Sequence, residues 1–253
     1  MIIKKPADSD VTELKVLWKE AFGDTDDFIG LFFSLAFSKD NSLCVYDNES
    51  LVASLYWFDG SVGNEKAAYI YGVATKKSHR GRGFSSALIK STHKLLADEG
   101  YCTAILVPAD AELFNFYGRF GYTECCFINL GKYFSSEKKA ALEKISVEEY
   151  LTLRRGYLPK NTLIFDNKRL PFLAAITDFY KGEDFILANS KNPDTLSIIE
   201  FFGNERNIPC AISALGFSEA TVRSYGNSKP FAMYFTLKKH SKSIPKYLGF
   251  AFD

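Results

Sequence analysis

One segment constrains this chain more than any other: GVATKKSHRGRGFSSALIKSTHKLL, residues 72–96. A β-rich run, KAAYIYGVAT, enters a charged loop that holds Gly81 and Gly83. Helical spacing starts near Phe84, continues to about Asp98 and stops at Gly100. Glycine lets backbone approach an anion closely. Loop N–H groups and the unpaired N–H groups of the first helical turn then point at one place, where the helix dipole favours negative charge. Arg80 and Arg82 add two positive charges. The arrangement predicts a pyrophosphate site. Two familiar phosphate motifs do not fit. The Gly-Lys-Ser/Thr ending of a P-loop is missing, and the dinucleotide fingerprint needs three glycines in a first β–α turn.

The rest of the composition narrows the class. A chain of 253 residues holds one or two domains, at roughly 100–200 residues each. Its 47% hydrophobic and 24% charged residues exclude a disordered, collagen-like or disulfide-scaffold chain. Lys+Arg is 31 against Asp+Glu 30, a formal charge of +1, which argues against a nucleic-acid partner. Aromatic residues at 15% favour a sheet-rich core and an aromatic-lined pocket. The five cysteines are odd in number and lack a framework spacing, as expected of buried thiols in a reducing compartment. The three histidines have no partner at ligand spacing, so no metal is expected. MIIKKPADSD lacks the apolar core of a signal peptide. FIGLFFSLAF, residues 28–37, is far short of a span and reads as a buried helix. A cytoplasmic location without a membrane partner is expected.

Strand-like and helix-like segments alternate over residues 1–130. MIIKKP is a short strand; a helix lies near 10–22; SLCVYDN and LVASLYWFDG are strands around the turn at residues 47–50. After the loop and its helix come the strand TAILVP, a short helix over 111–120 capped by Asp110 and ended by Gly121, and the strand YTECCFINL. The polar stretch GKYFSSEKKAALEK, 131–144, marks a domain boundary, giving domains at 1–130 and 131–253. The second half holds a helix at the capping box Ser146–Glu149, a helix over KRLPFLAAITDFYK, strands DFILAN and TLSIIEFF, a helix over 204–214 and strands near 219–226 and 230–237. FYGRFGYTE at 116–124 echoes AISALGFSE at 211–219, a duplicated α/β unit or a chance likeness. Arg154–Arg155–Gly156 follows a helix and has one glycine, so it is set aside as a phosphate loop.

The order Arg80–Gly81–Arg82–Gly83–Phe84–Ser85 resembles the acyl-CoA loop of the GNAT N-acetyltransferase superfamily, Arg/Gln-x-x-Gly-x-Gly/Ala. Ser85 stands where that family prefers Gly or Ala. The preceding strand end, Gly72–Val73–Ala74–Thr75, is also similar, as is Phe116–Tyr117–Gly118–Arg119–Phe120–Gly121–Tyr122. The wording of the latter resembles the Eis-like branch with tandem GNAT-type domains. The resemblance implies an α/β fold with a mixed central sheet and flanking helices, followed by a second GNAT-like α/β domain without its own CoA loop. It implies acetyl-CoA as cosubstrate, bound by Val73, Ala74, Thr75, Arg80, Gly81, Arg82, Gly83, Phe84 and Ser85. Tyr117 is the implied general acid, and the carboxylate of Asp253 the implied chain-end group in the active site. A backbone N–H near Val73–Ala74 stabilises charge on the carbonyl oxygen, and Tyr69 and Tyr71 line the path of the amine. No general base is named.

The acceptor stays open among polyamine, aminoglycoside, peptide amine and small metabolite. Asp24, Asp26 and Asp27 are either a cluster that concentrates a cationic amine or a solvated turn. Two other functions compete: a non-catalytic acyl-CoA sensor, which needs the loop but not Tyr117, and a tandem-GNAT aminoacyl transferase, disfavoured by the charge balance. Oligomeric state is not legible.

Overall fold

The computed structural model describes residues 1–239, 241 and 243–252. In chain order its elements are β1 (Ile2–Lys4), α1 (Val11–Phe22), α2 (Asp26–Leu35), β2 (Ser42–Asp47), β3 (Ser50–Val62), β4 (Glu65–Thr75), α3 (Phe84–Asp98), β5 (Thr103–Leu106), α4 (Ala111–Gly118), β6 (Thr123–Cys125) and β7 (Ile128–Phe134). There follow β8 (Glu143–Ile145), α5 (Val147–Arg154), β9 (Leu163–Phe165), α6 (Leu170–Ile176), β10 (Thr177–Lys181), β11 (Phe185–Ser190), β12 (Leu196–Gly203), α7 (Ile208–Leu215), β13 (Glu219–Tyr225) and β14 (Ala232–Thr236).

These elements form two compact units that interleave along the chain. The first contains Met1–Thr123, Leu163–Phe172 and Met233–Ile244. The second contains Glu124–Thr162, Leu173–Ala232 and the tail from Pro245. Segments 163–172 and 233–244 lie beyond residue 131 yet join the first unit, because β9 pairs with the β3 edge and β14 pairs antiparallel with β5. Strand pairing overrides the polar stretch as a divider.

The first unit is a mixed sheet in the order β1-β2-β3-β4-β5-β14-β6, with β9 beside β3. Most neighbours are antiparallel, and β2–β3 and β3–β4 are hairpins. The two-residue turn between β2 and β3 puts Asn48 and Glu49 at φ 49° and 67°, the positive values such a tight hairpin needs. β4 and β5 are parallel, so their connection must cross the sheet, and α3 makes that crossing. Helix α3 buries Phe84, Leu88, Ile89 and Leu96 against Val52, Leu55, Trp57 and Ile70 in one core cluster. On α1, Leu14, Leu17 and Trp18 are buried, one face of a helix with the expected period.

The second unit is a six-stranded sheet in the order β7-β13-β12-β11-β10-β8. Only β12 and β13 run parallel among its pairs, and α7 connects them. This repeats the β4–α3–β5 plan of the first unit. The echo in the sequence therefore picked the wrong helix: α7 corresponds in topology to α3, not α4. The shared wording reports a common ending. Gly100, Gly121 and Gly216 follow their helices at φ 88°, 86° and 85°, and each precedes an aromatic residue.

Three further expectations change. YTECCFINL is two strands, β6 and β7, because Cys126 adopts φ 54° and breaks the ladder. TDFYK is strand β10, paired with β8 and β11, rather than the end of a helix. The tail YLGFAF, residues 247–252, is buried but not a strand: Tyr247 makes one isolated bridge, to Thr162. It is held inside the second unit by Glu200, which accepts from Tyr247 Oη at 2.8 Å, Tyr150 Oη at 2.9 Å and Arg154 Nε at 2.6 Å. Arg154 is thus a buried ion-pair partner, as its setting aside as a phosphate ligand requires. Among the described residues no helix is long and apolar enough to cross a membrane.

Candidate active site

The site is built where β4 leaves β5. Their ladder covers Ala67–Tyr69 against Thr103–Ile105, whereas β4 runs on to Thr75. Just past that point β4 bulges. Ala74 pairs with Ser54 and Tyr71 with Tyr56, so Gly72 and Val73 together face the single residue Leu55. A bulge leaves its extra residue outside the ladder and turns the backbone groups there. Gly72 has φ 60°, and a Cβ on it would stand 3.0 Å from Tyr56 Cδ2 and 3.1 Å from Trp18 Cζ3. Only glycine permits both the conformation and the rings. Read along the sequence, this run is a plain strand; a glycine inside a strand pattern is the available sign of a bulge.

The end of β4 flows into the loop. Thr75 Oγ1 and Ser85 Oγ lie 2.7 Å apart, and Arg80 Nε donates to Thr75 O at 3.3 Å. These contacts bring the strand end and the first turn of α3 together. Gly81 and Gly83 have φ 75° and 82°, and nothing lies within 4 Å of where either Cβ would be. Gly83 is the N-cap of α3 and has no side chain with which to satisfy the first-turn N–H groups. The result is an open, backbone-lined cradle at the positive end of a helix, which fits a pyrophosphate.

The two arginines differ. Arg80 is exposed, with its Nε tied to the strand end. Arg82 Nη2 pairs with Asp47 Oδ2 at 2.7 Å and its guanidinium lies 4.9 Å from the Phe84 ring centroid. Its charge is shared with a carboxylate, so it is not the second uncompensated cation the sequence suggested. Phe84 turns inward, 5% exposed, and only its backbone belongs to the cradle.

Tyr117 lies on α4, whose N-cap Asp110 accepts from Leu113 N–H. It shares the core cluster with Phe84 and Leu106, and its ring meets Tyr122 edge-on with centroids 5.7 Å apart. At 6% exposure, burial pushes its pKa well above the usual phenol value. Asp253 lies outside the described residues.

The acidic turn is mostly committed within the fold. Asp24 Oδ2 accepts from Trp18 Nε1 at 2.7 Å, and Asp26 pairs with Lys19 at 2.6 Å. Thr25 caps α2, with Asp26 and Asp27 in its first turn, where the dipole favours acids. Among the described residues no group of three or more His, Cys, Asp or Glu could hold a metal ion.

Residues 2–125 match the family model described as an acetyltransferase (GNAT) domain. No curated protein matches by sequence. Solved structures share the fold across both units. A GCN5-related N-acetyltransferase from Kribbella flavida aligns at TM-score 0.67 and 14% identity, covering 93% of this chain and 72% of its own. A probable N-acyltransferase from Enterococcus faecalis V583 aligns at 0.70 and 15% identity, covering 94% and 72%. Eis1 from Mycobacterium abscessus aligns at 0.63 and 10% identity, covering 94% and 74%. The parting strands, the glycine-lined cradle and the family match over residues 2–125 agree on a GNAT acetyltransferase domain in that part of the chain.

Proposed function

We propose that the first unit transfers an acetyl group from acetyl-CoA to a primary amine. The observation that carries this is the bulge at Gly72–Val73, placed where β4 parts from β5 and running directly into the Gly81–Gly83 cradle of α3. Acetyl-CoA brings a thioester: the amine nitrogen bonds to its carbonyl carbon, the C–S bond breaks, and the CoA thiolate leaves.

The chain's residues serve that reaction as follows. Backbone from Val73 to Thr75 binds the acyl end, and the turned N–H groups at Val73–Ala74 stabilise charge on the carbonyl oxygen. Backbone of Arg80–Ser85 holds the pyrophosphate, with Arg80 supplying charge. Tyr117 gives its proton to the thiolate, and the amine loses one to solvent. The raised pKa of Tyr117 keeps the phenol protonated at neutral pH, the state a donor needs.

The second unit has no CoA site of its own in this reading. Where α3 follows a glycine loop with arginines, α7 follows Asn204–Glu205–Arg206–Asn207. Asn204 already caps Arg206 N–H, Pro209 removes a first-turn N–H, and Glu205 opposes an anion.

Replacing Gly83 with valine tests the reading. A β-branched side chain at φ 82° fills the cradle, and acetyl-CoA affinity in calorimetry is expected to fall at least about tenfold, roughly 1.4 kcal/mol. Unchanged affinity with an intact circular-dichroism spectrum refutes the assignment.

A further inference from the structure

We infer that the amine accepted by the first unit carries a planar, apolar body beside its nitrogen, and that Tyr71 selects it. This rests on the acetyl-transfer reading above. The argument starts at the bulge. Trp18 and Tyr56 press on Gly72 closely enough that no Cβ fits between them. Tyr71, the preceding residue, is half-buried. Its ring stacks on Phe58 with centroids 5.4 Å apart and lies 5.6 Å from Trp18 and 5.8 Å from Phe32. Phe33, also half-buried, extends this surface, with its ring 6.1 Å from both Trp18 and Tyr56. An amine that reaches a carbonyl held at Val73–Ala74 from this side moves along ring faces and edges. Rings at about 4.5–7 Å in offset or edge-on geometry favour another flat, apolar group.

The charges point the same way. A polycation needs several carboxylates, and most of those on α1 and in the turn after it are engaged: Asp24 by the Trp18 indole, Asp26 by Lys19, and Glu20 by the backbone N–H of Lys77, while Asp27 lies in the first turn of α2, where the helix dipole favours it. Lys15 Nζ stands 5.7 Å from the Phe33 centroid and repels further positive charge. A single amine on an aromatic or comparably flat body suits this wall better than a polyamine or an aminoglycoside.

The test uses the full chain with acetyl-CoA and three amines: 2-phenylethylamine, spermidine and kanamycin. CoA release gives kcat and KM, and calorimetry gives acetyl-CoA affinity. We expect kcat/KM for 2-phenylethylamine to exceed the others at least about tenfold. Tyr71→Ala is expected to raise its KM by about tenfold or more, while Tyr71→Phe, which keeps the ring, restores it to within about twofold. Preference for spermidine or kanamycin, or an unchanged KM in Tyr71→Ala, overturns the inference. Saturation-transfer NMR with CoA present covers the case of no turnover: 2-phenylethylamine that does not bind also overturns it. Failure of the transfer reading looks different: the wild-type protein then releases no CoA with any of the three amines, whether or not acetyl-CoA binds.

Discussion

Tyr117 and His93 show what burial does to a titrating side chain in the first unit. Tyr117 sits in the core cluster, where desolvation holds its pKa above the phenol range. A free thiol has a pKa of about 8.5, so in the proposed mechanism the phenol gives its proton only as the C–S bond breaks. Tyr117→Phe keeps the packing and removes the proton. Steady-state assays are expected to show kcat lowered by about 10²–10⁴ with acetyl-CoA affinity unchanged; normal turnover would leave Tyr117 a packed aromatic only. His93 lies face to face with Phe235 at 4.1 Å, its Nε2 2.9 Å from Tyr122 Oη. Burial lowers its pKa from 6.5 to about 4. The folded value is below the unfolded one, so the unfolded chain binds the proton first and protonation favours unfolding. The contribution is complete above pH 6.5 and is lost as pH falls towards 4, at most about 3 kcal/mol. Urea titrations from pH 7 to 4 are expected to show that loss in the wild type and to show less of it in His93→Phe. Equal pH slopes count against the burial argument.

At the scale of elements, the span of α3, Phe84–Asp98, is the one its apolar period and flanking glycines give. The Ser146 cap of α5 is likewise formed as read, accepting from Glu149 N–H at 3.1 Å. Helix ends depend on a few consecutive residues, so they are legible in order along the chain. β4 is different. Its bulge depends on Tyr56 and Trp18 from two other elements, and a pattern read along one strand does not contain them. Gly72→Ala tests the link between packing and chemistry. The added methyl meets both rings and the backbone is held at positive φ. A destabilisation of about 1–3 kcal/mol is expected, read as a lower urea midpoint, with acetyl transfer falling more than acetyl-CoA affinity. A variant as stable and active as wild type means the bulge does not depend on glycine.

At the scale of the whole molecule, the described residues form two parallel β–α–β crossovers, and one has the cradle. One acetyl-CoA per chain is therefore expected in calorimetry; two equivalents mean that the α7 terminus was misread. The second unit rests instead on a buried charge. Glu200 is fully buried and takes both Arg154 Nε at 2.6 Å and Arg154 Nη2 at 2.7 Å. Removing one partner strands the other, a loss of about 3–5 kcal/mol. Glu200→Gln is expected to lower the unfolding midpoint of the second unit accordingly, whereas the double change Glu200→Met with Arg154→Met recovers much of it. A single mutant with wild-type stability contradicts this account.

The sequence by itself determined local pieces: the span of α3, the caps at Asp110 and Ser146, the glycines that end helices, and the loop that joins a strand to the N-terminus of α3. These follow from propensity, period and backbone sterics, which act between near neighbours. Tertiary structure decided which distant pieces meet. It placed β14 beside β5 and β9 beside β3, so that late segments complete the first unit. It paired Glu200 with Arg154, and it turned Phe84 inward while leaving its backbone to the cradle. Alternation along a strand says which face is buried and not which strand lies alongside. That choice belongs to packing and hydrogen bonding across the sheet, and here it sets where β4 parts from β5 and so where the chemistry has room.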